Sequence, residues 1–155
     1  MTTPTHAPIK WAFVARVRAG SVYDALTGIH EGFAPEKLDY PFCVWNLVAG
    51  PYEYDWGDVT LIAMIDATVF SRNSVQADEL DEALAAWLSD QPFPVDGQST
   101  LLCRRVATIP NPPDLDNEGK KVYGAGGTYE IWTAPPPSVE AMADTASGTG
   151  AAPGP

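Results

Sequence analysis

Apolar stretches in the middle of the chain predict two strands. Phe42 to Ala49 is an uncharged, mostly apolar run of strand length, bounded by Pro41 and by the pair Gly50-Pro51. From Asp58 to Phe70, every second residue is apolar, which is typical of a long strand with one buried face. Because a short connection, Gly50–Gly57, joins the two segments, they predict an antiparallel pair.

An amphipathic helix is predicted after the long strand. Asn73 can cap its first turn, Gln76 stands three residues later as in a capping box, and Pro92 stops it. Residues at helical spacing form its apolar face: Ala77, Leu80, Leu84, Trp87 and Leu88. Several acidic residues of this segment are expected to face water, namely Asp81, Glu82 and Asp90.

The first element of the chain fits two periodicities. Ile9, Phe13 and Val17 are spaced as on one face of a helix, yet the apolar residues from Ile9 to Val17 also alternate as in a strand. The content of Ala, Arg and Lys favours a helix, and Pro8 suits its first turn. Gly20 then ends or bends this element, and a further turn follows.

Three more strands and a loop complete the pattern. Ile29–Phe33 predicts a short strand, and Thr100–Ile109 predicts a longer one. Asn111–Lys121 is a polar loop, and Val122–Thr133 is a final strand. The glycine-rich stretch Gly124–Gly127 within it predicts a bend, a bulge or a flexible tip.

The order of elements (helix, strands, helix, strands) predicts an α+β fold. We expect one mostly antiparallel sheet of about four to five strands, packed with two main helices. Residues 8–133 form a single domain in this interpretation. Residues 1–7 are expected to be disordered, and so is the Pro/Ala/Gly-rich tail 134–155, which has few groups able to fill a core.

Charge and cysteine content narrow the classes of function. The net charge of −11 disfavours sequence-independent binding to nucleic acid, because an acidic surface repels phosphates. Both cysteines, Cys43 and Cys103, stand in apolar runs, and the first residues lack the pattern of a signal peptide. We therefore expect two thiols in a reducing compartment. No apolar stretch is long enough to predict a membrane span.

Motifs for metal binding and catalysis are weak. Asp114, Asp116 and Glu118 alternate as at the start of a calcium loop, but the twelfth position is Ala125, where a glutamate is expected. A zinc site lacks clustered ligands, and a pair formed by His30 and Cys43 has no supporting pattern. We predict no catalytic residue, no metal ligand and no cofactor.

An aromatic segment after the first long strand is the clearest candidate for a contact with a partner. Tyr52, Tyr54 and Trp56 are interleaved with Glu53 and Asp55. These aromatic side chains either pack back over the edge of the sheet or contact a partner, since tyrosine and tryptophan are enriched in interfaces. The sequence leaves both options open.

Several stretches of the sequence together form a familiar order of motifs: FVARVRAG with ALTGIHEGFAP (13–20 and 25–35), YPFCVWNLVAG (40–50), IDATVFSRNSVQADELDEALAAWL (65–88) and GTYEIWT (127–133). Through these stretches, most of residues 10–133 resembles the tail-terminator, or tail-completion, family of long-tailed, non-contractile bacteriophages. This resemblance also favours a helix for the first element. The long C-terminal tail and the aromatic segment depart from the family pattern.

The resemblance implies a small α+β protein in the virion, assembled in the host cytoplasm. It implies a homo-hexameric ring at the head-proximal end of the tail tube that stops tube polymerisation and offers a face to the head connector. Partners would be other copies of the chain, the major tail tube protein and a connector or neck protein. No enzyme activity, cofactor, membrane contact or sequence-specific DNA binding is implied, although DNA would pass through the ring.

Candidate contact residues and alternative functions follow from this interpretation. Tyr52, Tyr54 and Trp56 are the candidate interface residues, and Lys120 and Lys121 are expected to meet acidic residues of a neighbour. One alternative is a head–tail adaptor or another tail assembly protein. A different class is a small-ligand-binding or enzymatic α+β domain that uses the sheet face of three residues: Met64, Asp66 and Thr68.

Overall fold

A computed structural model describes residues 4–34, 36–37, 39–55, 58–89 and 94–135. Two α-helices lie in this part of the chain, α1 (His6–Ala19) and α2 (Ser74–Leu88), and a 3-10 turn, Ser21–Ala25, follows α1. The strands are β1 (Ile29–Glu31), β2 (Phe42–Ala49), β3 (Tyr52–Asp55), β4 (Asp58–Ser71), β5 (Ser99–Ile109), β6 (Asp114–Leu115) and β7 (Lys121–Ala134).

The strands form a mixed, mostly antiparallel sheet with the order β1-β2-β4-β7-β5. β1 is parallel to β2, and the other pairs are antiparallel. Two short strands lie off this path: β3 pairs with the first residues of β4, and β6 pairs with the first residues of β7. The predicted α+β class is confirmed.

The sheet is larger than the four to five strands predicted, because β3 and β6 lie in segments that were expected to be loops. Both are short hairpin partners of longer strands. A two- to four-residue strand needs only main-chain pairing to its neighbour, and it leaves little apolar periodicity in the sequence. Tyr52 and Tyr54 therefore lie in a β-hairpin.

Both helices cover the same face of the sheet. The fully buried apolar residues of β4 are alternate positions that the sequence indicated: Leu61, Ala63, Ile65, Ala67 and Val69. They share one core with Ile9, Phe13 and Val17 of α1, all fully buried, and with Leu84 and Leu88 of α2. The helical interpretation of the first element is therefore confirmed.

The chain is ordered earlier than the predicted domain start at residue 8. Pro4 is fully buried, and α1 begins at His6. The Tyr52 hydroxyl donates to the carbonyl oxygen of Pro4 at 3.2 Å, and the Gln98 side-chain amide donates to that of Thr5 at 2.9 Å. These two bonds hold residues 4–5 against the sheet. The predicted disorder of the tail concerns residues that lie mainly outside the described ranges.

Helix α2 begins at the residue that the sequence indicated. The Asn73 side-chain oxygen accepts from the main-chain N–H of Val75 at 2.9 Å and from that of Gln76 at 3.1 Å. The expected capping box is wrong, because the Gln76 side chain accepts from the hydroxyl of Ser71 instead. The Ser71 hydroxyl oxygen in turn accepts from the main-chain N–H of Asn73, so a serine at the end of β4 completes the cap.

No helix in the described ranges is long and apolar enough to cross a membrane.

Candidate interaction surfaces

The aromatic segment divides into a structural residue and an exposed one. Tyr52 is half-buried, packs edge-on against His6 with ring centroids 6.0 Å apart, and bonds to Pro4. Tyr54 is 76% exposed, although it points to the same face of β3. Its neighbour in the hairpin is Val59, two residues beyond Leu61, the last fully buried residue at this end of β4. Tyr54 therefore lies past the end of the core and is open to a partner.

Trp56 lies outside the described residues, and the two lysines lie at the other end of the sheet. Lys120 and Lys121 belong to the β6–β7 hairpin and are exposed. The ammonium group of Lys120 lies 2.9 Å from the Glu118 carboxylate of the same hairpin. Since Ser71, the last residue of β4, pairs with Tyr123 near the start of β7, this hairpin is at the end of the sheet opposite Tyr54. The structure does not bring the two candidate sets together.

The calcium-like sequence forms the tip of that hairpin. The Asp116 carboxylate accepts from the main-chain N–H groups of Lys120 at 2.8 Å and Glu118 at 2.9 Å, and it also pairs with Arg72. These hydrogen bonds, that of Lys120 first, lower the pKa of Asp116. Its oxygens are thus engaged by the turn. Within the described ranges, no group of three or more His, Cys, Asp or Glu side chains is placed to hold a metal ion.

An ion pair that the sequence did not predict lies between α2 and the sheet. Asp81, expected to face water, is 6% exposed, and its carboxylate accepts a 2.8 Å hydrogen bond from Arg105 of β5. The Arg105 guanidinium also donates to the Gly126 carbonyl oxygen at 2.6 Å and lies 6.0 Å from the ring centroid of Tyr129. An ion pair thus joins the helix to the edge strand β5.

The glycine-rich stretch of β7 makes room for this ion pair. Gly124–Gly127 is regular strand, paired to β4 throughout, so the predicted bend, bulge or tip is wrong. A Cβ atom on Gly127 would lie 2.2 Å from Nε of Arg105, and one on Gly126 would lie 2.6 Å from the Ala67 carbonyl oxygen. The glycines therefore serve close packing across the sheet.

Cys43 lies in the same buried region. Burial, and then the charge of Asp81, raise the pKa of the Cys43 thiol from 9.0 to about 12. His30 pairs in register with Val44, whose side chain is on the other face of β2, so Cys43 and His30 do not form a pair. A thiol with so high a pKa is a poor nucleophile at neutral pH. Cys43 is a core residue.

Alkaline conditions are expected to destabilise the protein through Cys43. Its thiol stays protonated in the folded state up to about pH 12, whereas the unfolded thiol ionises near 9.0, so the unfolded state gains stability as the pH rises above 9. The free energy of unfolding should be about 2 kcal/mol lower at about pH 10.5 than at about pH 8 from this group alone. Urea titrations of the wild-type chain and Cys43→Ala across this range measure it. Parallel pH curves for the two chains would contradict the prediction.

The outer face of the sheet carries the residues of the ligand-binding alternative. Met64, Asp66 and Thr68 alternate with the core residues of β4 and are half-buried. The Asp66 carboxylate accepts from the Thr128 hydroxyl of β7 at 2.6 Å. The carboxylate is thereby satisfied by a neighbouring strand, and both helices lie on the opposite face. These three residues form part of an open sheet surface.

A groove beside α1 was not predicted. It has a volume of about 320 Å³ and lies between the outer side of α1 and the strands β1 and β2, with Glu31 and Trp45 on the strand side. Trp11, which is 71% exposed, lines the groove near the start of α1, and Arg18 lines it near the end of α1. The sequence carried a signal for this surface, because Trp11 lies off the buried face of α1, where a polar residue is expected.

Comparisons with known proteins identify a similar fold. No protein-family model and no curated protein matches this sequence. The fold is similar to that of a chain in a solved structure described as the virion of a native gene transfer agent (GTA) particle, with a TM-score of 0.68 and 11% sequence identity. The match covers 84% of this chain and 99% of that chain. At this identity, the likeness establishes a shared fold.

Proposed function

We propose that this chain is a structural, non-enzymatic protein of a phage-like virion, and specifically the tail terminator. The observation that carries the proposal is the fold likeness to a chain of a gene transfer agent virion, which extends over 99% of that chain. The order of sequence motifs resembles the tail-terminator family independently of that likeness. The fold likeness covers 84% of this chain, and the sequence resemblance covers most of residues 10–133.

A terminator must meet two different neighbours, and the domain offers different surfaces at the two ends of its sheet. Tyr54, exposed at the β3–β4 hairpin, lies at one end, and Lys120 and Lys121 of the β6–β7 hairpin lie at the other. In the proposed mechanism, one end contacts the last ring of the tail tube and the other faces the connector. The second end cannot accept another tube ring, so polymerisation stops.

The ring itself needs a head-to-tail contact between unlike surfaces of two copies. The domain has distinct lateral edges, formed by β1 and by β5. β5 is eleven residues long and pairs with β7 on one side, while its other side has no strand partner within the described ranges. Its two register shifts, near Leu102 and Ala107, disfavour simple strand addition. We therefore expect side chains near this edge to supply much of the contact.

Particles produced without this chain test the proposal by negative-stain electron microscopy. A terminator leaves overlong tubes of irregular length that are not joined to filled heads, and supplying the wild-type chain restores tubes of uniform length. Tubes of normal length without heads would instead identify a head–tail adaptor. Intact infectious particles would overturn the structural role altogether.

A further inference from the structure

The two helices carry opposite and unmixed charge. Helix α1 contains Lys10, Arg16 and Arg18 and no acidic residue, although the whole chain has only nine lysines and arginines against 20 acidic residues. Helix α2 contains four acidic residues and no basic one. Asp81 of α2 is used internally by Arg105, which leaves three acidic side chains exposed: Asp78, Glu79 and Glu82.

The basic helix borders the groove lined by Trp11. Lys10, at one end, pairs with Glu31 across the groove, so its charge is partly compensated. Arg18, at the other end, is exposed and has no ion-pair partner in the described part of the chain. Between them the groove presents the indole of Trp11 and the small residue Ala15. The groove therefore combines apolar surface with an uncompensated positive charge.

The acidic helix presents a complementary ridge. Val75 is 61% exposed, and Asp78, Glu79 and Glu82 follow it on the outward side of α2. Positions three and four residues apart are neighbours on a helix surface, so this apolar side chain is bordered by carboxylates. The ridge offers what the groove lacks, namely negative charge around an apolar contact.

The two surfaces lie on opposite lateral sides of the domain. The groove touches β1 and β2 at one edge of the sheet, through Glu31 and Trp45. Helix α2 packs over the other side and is tied to the opposite edge strand, β5, by the pair of Asp81 with Arg105. Two complementary surfaces on opposite sides of one molecule are the arrangement required by a heterologous contact that closes into a ring.

We infer that the α1 groove of one copy binds the acidic ridge of α2 of a second copy. Here the groove is defined by Lys10, Trp11, Arg18 and Glu31, and the ridge by Val75, Asp78, Glu79 and Glu82. This inference rests on the proposed function, because it identifies the contact between neighbours in the proposed ring. Each copy then offers one groove and one ridge, so a closed ring leaves neither unoccupied.

Charge-reversal variants of the groove and of the ridge test whether copies associate through this contact. The groove variant is Lys10→Glu with Arg18→Glu, and the ridge variant is Asp78→Lys with Glu82→Lys. Each variant opposes like charges across the contact, so its self-association constant should fall at least about tenfold. An equal mixture should assemble again, because the acidic groove of one variant matches the basic ridge of the other and the two can alternate around a ring.

A chain with all four reversals is the matched control, because it has the net charge of the wild type and a contact of inverted polarity. It should self-associate like the wild type. Analytical ultracentrifugation at low salt measures all species, since screening weakens such contacts. Circular dichroism checks that each variant is folded.

The contact is supported if each single-surface variant is monomeric while their mixture assembles and the chain with all four reversals assembles as well. Three outcomes overturn it: a wild-type chain that is monomeric up to about millimolar concentration, single-surface variants that assemble like the wild type, or variants that stay apart when mixed. The last two outcomes would mean that the groove binds another partner, such as residues 136–155 of its own chain, or none. Microscopy of particles that lack the chain judges the terminator role separately.

Discussion

Replacing Phe13 with alanine is expected to lower the free energy of unfolding by about 3–5 kcal/mol. Phe13 is fully buried in α1 and packs against Trp45 of β2, with ring centroids 5.2 Å apart. Removing the ring gives up its transfer free energy and leaves a cavity between the helix and the sheet that neighbouring side chains fill only in part. Urea-induced unfolding followed by circular dichroism measures the change.

The control for this prediction is Trp11→Ala, two residues earlier on the same helix. Trp11 is 71% exposed, so its removal should change the free energy of unfolding by no more than about 0.5 kcal/mol at low protein concentration. Equal losses for the two variants would mean that α1 does not pack on the sheet through the face of Ile9, Phe13 and Val17. The comparison therefore tests the orientation of the helix as well as its stability.

Elements whose apolar residues recur at a regular spacing, or whose ends carry clear stop or cap residues, could be predicted from the sequence. β2 has the predicted bounds, Phe42–Ala49, because proline and glycine punctuate a run that has no helical period. The apolar positions of β4 identified its buried face, because alternate side chains of a strand point to opposite faces. The N-cap of α2 was found at Asn73 because a side-chain oxygen there satisfies main-chain N–H groups that the helix leaves free.

Burial of Asp81 was missed although the periodicity indicated it. Asp81 follows Ala77 by four residues and precedes Leu84 by three, so it belongs to the buried face of α2. Its charge alone suggested a solvated position. The compensating Arg105 lies 24 residues away on β5, and only the register of β5 against β7 brings it over the glycines to Asp81. Such a long-range partner leaves no local signal in one sequence.

The candidate contact residues were only partly accessible to sequence reasoning. Tyr52 and Tyr54 are two residues apart, which is the spacing of one face of a strand, and this would have predicted β3. Their different exposure depends on where the core ends, which is a property of the packed sheet. The separation of charge between α1 and α2 was visible in the sequence, but the placement of the groove and the ridge on opposite lateral sides of the domain was not.

Breaking the ion pair between Asp81 and Arg105 has the second large expected effect. Asp81→Ala should lower the free energy of unfolding by about 3 kcal/mol, because it leaves a guanidinium with 18% side-chain exposure without its carboxylate. Burial on its own lowers the pKa of Arg105, but the hydrogen bond and the charge of Asp81 raise it, so that the pKa lies above its usual value. Thermal and urea unfolding measure the loss.

The matched variant removes both charges, as Asp81→Leu with Arg105→Met. It should be much closer in stability to the wild type than Asp81→Ala is, since a buried pair replaced by apolar side chains of similar size is often near neutral. The single substitutions Asp81→Leu and Arg105→Met complete a double-mutant cycle, and the loss in the double variant minus the sum of the two single losses is the coupling free energy. Additive losses would mean that the pair does not join α2 to β5. A large coupling would mean that Asp81 and Arg105 stabilise the fold as one unit.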